Sequence, residues 1–147
     1  MNEFPHILLL CAFLAGCGSP ASTPAGPGVI FPASKADFVA QVTDRKSLSY
    51  WTPTPADIAE ATPNIKRFLE KQNPSIASRL REYRCQYFGI VVAGKKRIYC
   101  NFFHRDEHDE DWQACPLFVL DGGDSYFQLE YNIETKQCLN FMVNGEA

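Results

Sequence analysis

At 147 residues, with 46% hydrophobic and 21% charged side chains, the chain is long enough for one modest core and a tether, and too short for several domains. Fourteen Lys and Arg against 17 Asp and Glu give a formal charge of −3. That balance offers no basic face for a phosphate backbone, so no nucleic acid partner is expected.

The N-terminus carries an apolar run from Ile7 to Ala15, too short to cross a hydrocarbon core of about 30 Å as a helix. It reads as the hydrophobic part of a secretory signal peptide covering residues 1–16. The run closes on Leu14-Ala15-Gly16-Cys17, which resembles the bacterial lipobox: small residues suit the cleaving peptidase, and the Cys17 thiol accepts diacylglycerol. Lipidation at Cys17 would make the membrane a partner through covalent acyl chains, with no spanning helix. Residue 18 is Gly and not Asp. By resemblance to lipoprotein sorting in Gram-negative cells, the mature chain is expected on the outer membrane, facing the periplasm.

Gly18 to Pro32, GSPASTPAGPGVIFP, is rich in Pro, Gly, Ser and Ala and has little to bury, which predicts a flexible tether. A short helix capped by Ser34, with Asp37 at the reciprocal position and Phe38, Val39 and Val42 as an apolar edge, is expected next. The same stretch also suits a strand. The organisation expected is therefore a leader at 1–16, an anchor and tether at 17–46, and one globular domain at 47–147. Thr54 predicts a helix N-cap, with Pro55 in the first position and Asp57 close behind. Ile58, Ala61, Ile65, Phe68 and Leu69 recur at helical spacing, and Pro63 predicts a kink or a break into two helices. A further helix is expected from Pro74, after Asn73, turning Ile76 and Leu80 inward.

Beyond Tyr83 the period changes. Residues 84–92 and 96–103 are rich in aromatic and β-branched side chains around a turn at Ala93-Gly94-Lys95, which predicts an antiparallel hairpin. A charged loop, a third strand at Pro116–Leu120, a turn at Asp121-Gly122-Gly123-Asp124, and a hairpin of Tyr126–Tyr131 with Gln137–Val143 complete the pattern. Helices followed by antiparallel strands predict an α+β fold, N-terminal helices packed on one face of a sheet of about five strands.

Once Cys11 leaves with the leader and Cys17 takes lipid, Cys85, Cys100, Cys115 and Cys138 remain. In an oxidising compartment an even set predicts two disulfides, with three connectivities open. A two-residue turn at Ala93-Gly94 sets Val92 opposite Lys95, hence Cys85 opposite Phe102 and Cys100 opposite Tyr87. The two cysteines then share a face one diagonal step apart. Such diagonals run to about 7–8 Å, at the limit for a disulfide, so the pairing of Cys85 with Cys100, and of Cys115 with Cys138, requires a bulge or a longer loop.

The loop His104 to Asp111 holds two imidazoles and five carboxylates, but neither an EF-hand glycine nor an HExxH order, so it reads as a solvated loop and no metal or other cofactor is expected. Asp121, Gly122, Gly123 and Asp124 are the possible ligand-binding residues, since two glycines let a backbone approach closely; the same residues suit a tight turn. No GxSxG elbow or other nucleophile arrangement is present, so no catalytic residue is assigned and an enzyme is disfavoured.

Trp51-Thr52-Pro53, the strand Arg84-Cys85-Gln86-Tyr87-Phe88-Gly89, Trp112, Val119-Leu120-Asp121-Gly122-Gly123 and the closing Asn144-Gly145 make residues 50–147 similar to a group of small bacterial envelope lipoproteins. That resemblance implies an envelope location and imports no activity. Two functions are compatible with the sequence: a non-catalytic module binding an envelope protein, peptide or glycan, and a small metal-dependent or hydrolytic enzyme built on the acidic loop and the Asp121–Asp124 turn.

Overall fold

The computed structural model describes residues 28–107 and 111–146; the leader, Cys17 and His108 lie outside them. Strands β1 (Gly28–Ile30), β2 (Ser49–Trp51), β3 (Tyr83–Val92), β4 (Lys95–His104), β5 (Tyr126–Asn132) and β6 (Cys138–Val143) form one sheet, joined by helices α1 (Asp37–Thr43), α2 (Pro55–Gln72) and α3 (Pro74–Ser78). Its order is β1-β3-β4-β5-β6, with β2 also beside β3. Only the β1–β3 pair is parallel. This is an α+β fold.

Side chains alternate between two faces of the sheet. On the first face, Cys85, Tyr87, Ile98, Cys100, Phe102, Phe127, Leu129 and Tyr131 meet Ile58, Ala61, Ile65 and Leu69 of α2 and Ile76 of α3 in the main core. Thr54 caps α2 as expected: its Oγ1 accepts from the Asp57 N–H at 3.2 Å, and Asp57 Oδ2 accepts from the Thr54 N–H at 2.7 Å. Asn73 Oδ1 caps α3 by accepting from the Ile76 N–H at 3.1 Å. Pro63 does not break α2. Both Pro63 and Ala59, whose carbonyl loses its partner, face solvent, where water replaces the bond.

The second face is also covered, contrary to the expectation of helices on one side. Gly28–Ile30 adds a strand beside β3, Phe31 stacks on Phe88 at 4.8 Å, and Phe38 lies 5.3 Å from the same ring. Phe31, Ala36 and Val39 are buried there with Phe88, Ile90 and Tyr99. Residues 28–46 therefore belong to the domain and not to a tether, because the apolar triplet Val29-Ile30-Phe31 outweighs the surrounding Pro and Gly. Ser34 sits in a 3-10 turn and caps nothing; α1 begins after Ala36.

The β3–β4 turn is the two-residue one, with Ala93 at φ 48° and Gly94 at φ 75°. Val92 is opposite Lys95, Cys85 opposite Phe102 and Cys100 opposite Tyr87, as the sequence implied, and the ladder runs without a bulge. Among the described residues none of the four cysteines is bonded to another. Cys85 and Cys100 are neighbours in the main core, whereas the pairing of Cys115 with Cys138 fails on geometry. Cys138 packs with the main core on the first face, and Cys115 is held by Gln86 on the second.

Candidate functional site

Residues 116–120 belong to no strand and end in a bend at Leu120, which corrects the expected third strand. Side chains of the sheet, not its backbone, hold this segment. Gln86, Asn101 and Gln128 are directly opposite one another on β3, β4 and β5, and Asn144 follows the end of β6. Their amides form a ladder across the second face: Asn101 Nδ2 donates to Gln86 Oε1 at 3.2 Å, and Gln128 Nε2 donates to Asn101 Oδ1 at 3.4 Å and Asn144 Oδ1 at 3.2 Å.

The remaining capacity of the ladder goes to the backbone of residues 112–121. Gln86 Nε2 donates to the carbonyls of Trp112 at 2.6 Å and Cys115 at 2.8 Å, and its Oε1 accepts from the Leu117 N–H at 2.8 Å. Asn101 Nδ2 donates to the Leu117 carbonyl at 2.8 Å; Asn144 Nδ2 donates to those of Val119 at 2.7 Å and Asp121 at 3.0 Å. The segment is thus a strap laid across the strands, and each buried amide finds partners. Trp112 anchors its start, edge-on to Phe103 at 5.7 Å and beneath the Arg84 guanidinium at 5.1 Å.

The strap keeps the strand alternation. Leu117 and Val119 turn toward Phe103, Trp112 and Tyr126, while Phe118 is 55% and Leu120 77% exposed. Between the strap, α1 and β6 runs a groove of about 550 Å³. Phe38, Val42, Phe118, Leu120 and Met142 contribute its apolar walls, and Tyr99, Asn101, Gln128 and Glu130 its floor. Glu130 is 1% exposed and sits between two guanidiniums, Oε1 at 2.5 Å from Arg45 Nη2 and Oε2 at 2.9 Å from Arg97 Nη1. Burial, with Glu130 nearby, pushes the Tyr99 phenol well up, so it stays a neutral donor on this floor.

Asp121–Asp124 forms a turn. Gly122 at φ 91° and Gly123 at φ 56° adopt backbone that other residues resist, and a Cβ on Gly122 would lie 2.6 Å from the Tyr126 ring. The Gly123 N–H donates to the Gly145 carbonyl at 3.0 Å, and the Asp124 carboxylate pairs with Arg79 at 2.6 Å. Asp124 and His104 both adjoin Tyr83, whose hydroxyl donates to the Asp124 carbonyl at 2.6 Å and whose ring lies 5.5 Å from the imidazole. His104 itself reaches Glu82 at 3.2 Å. The two candidate acidic segments thus meet at one end of the sheet, with the Asp124 carboxylate and the imidazole on different partners. Among the described residues, no three His, Cys, Asp or Glu side chains come together as a metal site.

Of the groove residues, sequence reasoning singled out Phe38 and Val42 only as an apolar helix edge and Leu120 only as the end of an expected strand, and Phe118, Met142, Gln128 and Glu130 not at all. One signal was available: Gln86 and Asn101 are polar side chains inside apolar strands, and the two-residue turn puts them face to face. No family model, no curated protein and no solved structure matches the chain.

Proposed function

We propose that the chain is an exported lipoprotein, anchored in the bacterial envelope through Cys17, whose domain is a non-catalytic binding module for a protein or peptide. The exposed Phe118, Leu120 and Met142 along a polar-floored groove carry this reading. Large apolar side chains left in water beside a concavity are the usual mark of a docking surface. On the floor the Asn101 amide is engaged with the strap and the Gln128 amide with Asn101 and Asn144, which leaves apolar contact as the main source of affinity.

The test places a photo-crosslinking residue at Phe118 in the anchored chain and identifies what is captured in its native envelope. A defined partner, lost in a Leu120→Ser variant of unchanged melting temperature and retained after His104→Ala, supports the reading. Capture abolished by His104→Ala and untouched by Leu120→Ser overturns it in favour of the acidic end.

A further inference from the structure

The groove has one charged end. Among the described residues, Arg45 and Glu130 are the only charged side chains on its lining. Arg97 reaches Glu130 from the neighbouring strand, so one carboxylate is held by two guanidiniums, at 2.5 Å and 2.9 Å. Two cations against one anion leave a positive charge uncompensated. Arg45 is only 28% exposed and Arg97 18%, so salt and water screen that charge less than on an open surface. Donors are in excess as well: Arg45 Nη1 and Arg97 Nε have no acceptor among the described residues.

Tyr99 adds a further donor at this end. It stands directly opposite Glu130 across β4 and β5, lines the groove and is 8% exposed. Burial first, and then the charges of Glu130 and Arg45, act on its phenol, which sets the hydroxyl beside the ion pair. That hydroxyl makes no hydrogen bond among the described residues, yet it is not one of the partnerless polar atoms sealed from solvent. It therefore opens on the groove with a proton to donate, fixed in place by a ring that is otherwise buried.

We propose that the groove takes an acidic segment of a partner protein, an Asp or Glu carboxylate meeting the Tyr99 hydroxyl beside Arg45 while apolar neighbours in the segment pack on Phe118, Leu120 and Met142. The carboxylate accepts from Tyr99 and brings the negative charge that Arg45, Glu130 and Arg97 together lack. Phe118 and Leu120 stand more than half exposed. So open a wall suits a protein segment better than a lone acyl chain, which needs enclosure to bury its surface. The assignment rests on the docking role proposed above and adds to it the charge of the partner.

The experiment is selection from a displayed library of random peptides, with the full chain held in lipid nanodiscs as bait. Enriched peptides should carry an Asp or Glu among apolar residues and be lost on a Leu120→Ser variant. Changing that acidic residue to Asn or Gln should raise the dissociation constant by about tenfold or more on the wild type. On Tyr99→Phe the same change should matter by less than about threefold, because the bond is already gone. Tyr99→Phe removes a hydroxyl that holds nothing in the fold, so its melting temperature should stay put; Arg45→Met repeats the comparison for the charge. Apolar peptides without a carboxylate, still lost on Leu120→Ser, overturn the inference and leave the docking role standing. Acidic peptides that bind Tyr99→Phe and Arg45→Met as they bind the wild type overturn it too. So does a library that yields no peptide dependent on Leu120: decanoate binding would then assign the carboxylate to an amphiphile, and crosslinking at Phe118 judges the docking role by itself.

Discussion

Replacing Gln86 by Leu tests whether side-chain amides hold the strap. Gln86 is fully buried, and its amide makes four hydrogen bonds: to the Trp112 and Cys115 carbonyls, the Leu117 N–H and the Asn101 amide. Leucine has similar bulk, so little cavity forms and the effect reads as lost bonding. Cys115 is exposed, and its carbonyl can turn to water; the Trp112 carbonyl, the Leu117 N–H and one hydrogen of Asn101 Nδ2 each lose a bond, while Nδ2 keeps the Leu117 carbonyl. At about 1 kcal/mol for each lost bond, the change costs about 3 kcal/mol, a large part of an ordinary domain's stability of about 5–15 kcal/mol. Near 4 °C per kcal/mol for a domain of this size, the melting temperature should fall by about 12 °C. Thermal unfolding followed by circular dichroism measures the total. Hydrogen exchange localises it, since amides of 112–121 should lose protection while α2 keeps its own. A loss below about 1 kcal/mol, with the strap still protected, would show that Trp112, Leu117 and Val119 hold the segment by apolar packing alone.

Three more outcomes follow from the same contacts. Gly89→Ala would place a Cβ 2.1 Å from the Trp51 carbonyl oxygen and 3.0 Å from Pro53 Cδ, so β2 must detach and the urea midpoint should drop by the equivalent of at least about 2 kcal/mol; an unchanged midpoint refutes the close approach. Glu130→Leu strands two partly buried guanidiniums and should cost about 3–5 kcal/mol, whereas Glu134→Ala, which breaks only the exposed Lys95 pair, should cost less than about 1 kcal/mol; equal losses would sink the distinction. Burial pushes up the Cys85 thiol, the Cys138 thiol (to about 12) and the phenols of Tyr83, Tyr99 and Tyr131. The folded chain thus keeps protons that the unfolded chain has begun to lose, so stability is complete below the ordinary values of 9.0 and 10.0 and declines as pH rises above them. Urea midpoints at pH 7, 9 and 10.5 check this, and a midpoint flat across that range contradicts it.

Local signals in the sequence were the ones that carried through. The Thr54–Asp57 cap, the Asn73 cap and the Ala93-Gly94 turn depend on neighbours along the chain, and each appears where its residues predict it. The face assignment of Cys85 and Cys100 followed from that turn alone, because a side-chain period of two leaves no freedom once one opposite pair is fixed. What the sequence hid depends on distant partners. Val29-Ile30-Phe31 looks like part of a tether until β3 offers an edge and Phe88 a ring. Residues 116–120 look like a strand because they alternate as one; their backbone partners are the amides of Gln86, Asn101 and Asn144, from three different places in the chain. Cys115 and Cys138 are equally plausible partners on paper, and only the course of the strap separates them by the thickness of the sheet.

The motifs on which a kinship with envelope lipoproteins would rest are structural ones. Trp51-Thr52-Pro53 and Gly89 meet at one crossing, where Gly89 has no room for a side chain. Gln86 and Asn144 clamp the strap, Trp112 anchors it under Arg84, and Gly122-Gly123 returns the chain toward β5 while bonding to Gly145. Each of these residues faces inward or sets a backbone angle, and together they specify one device: a strap crossing a sheet at a fixed height. Phe118 and Leu120 project outward from that device. A chain with the same motifs would inherit the strap and groove as geometry, while its partner would be set by the outward side chains that the motifs leave unspecified. Exchanging Phe118 and Leu120 between two such chains should therefore exchange what they bind and leave their melting temperatures within about 0.5 kcal/mol of the originals; a swap that unfolds either chain would show that these side chains serve the scaffold after all.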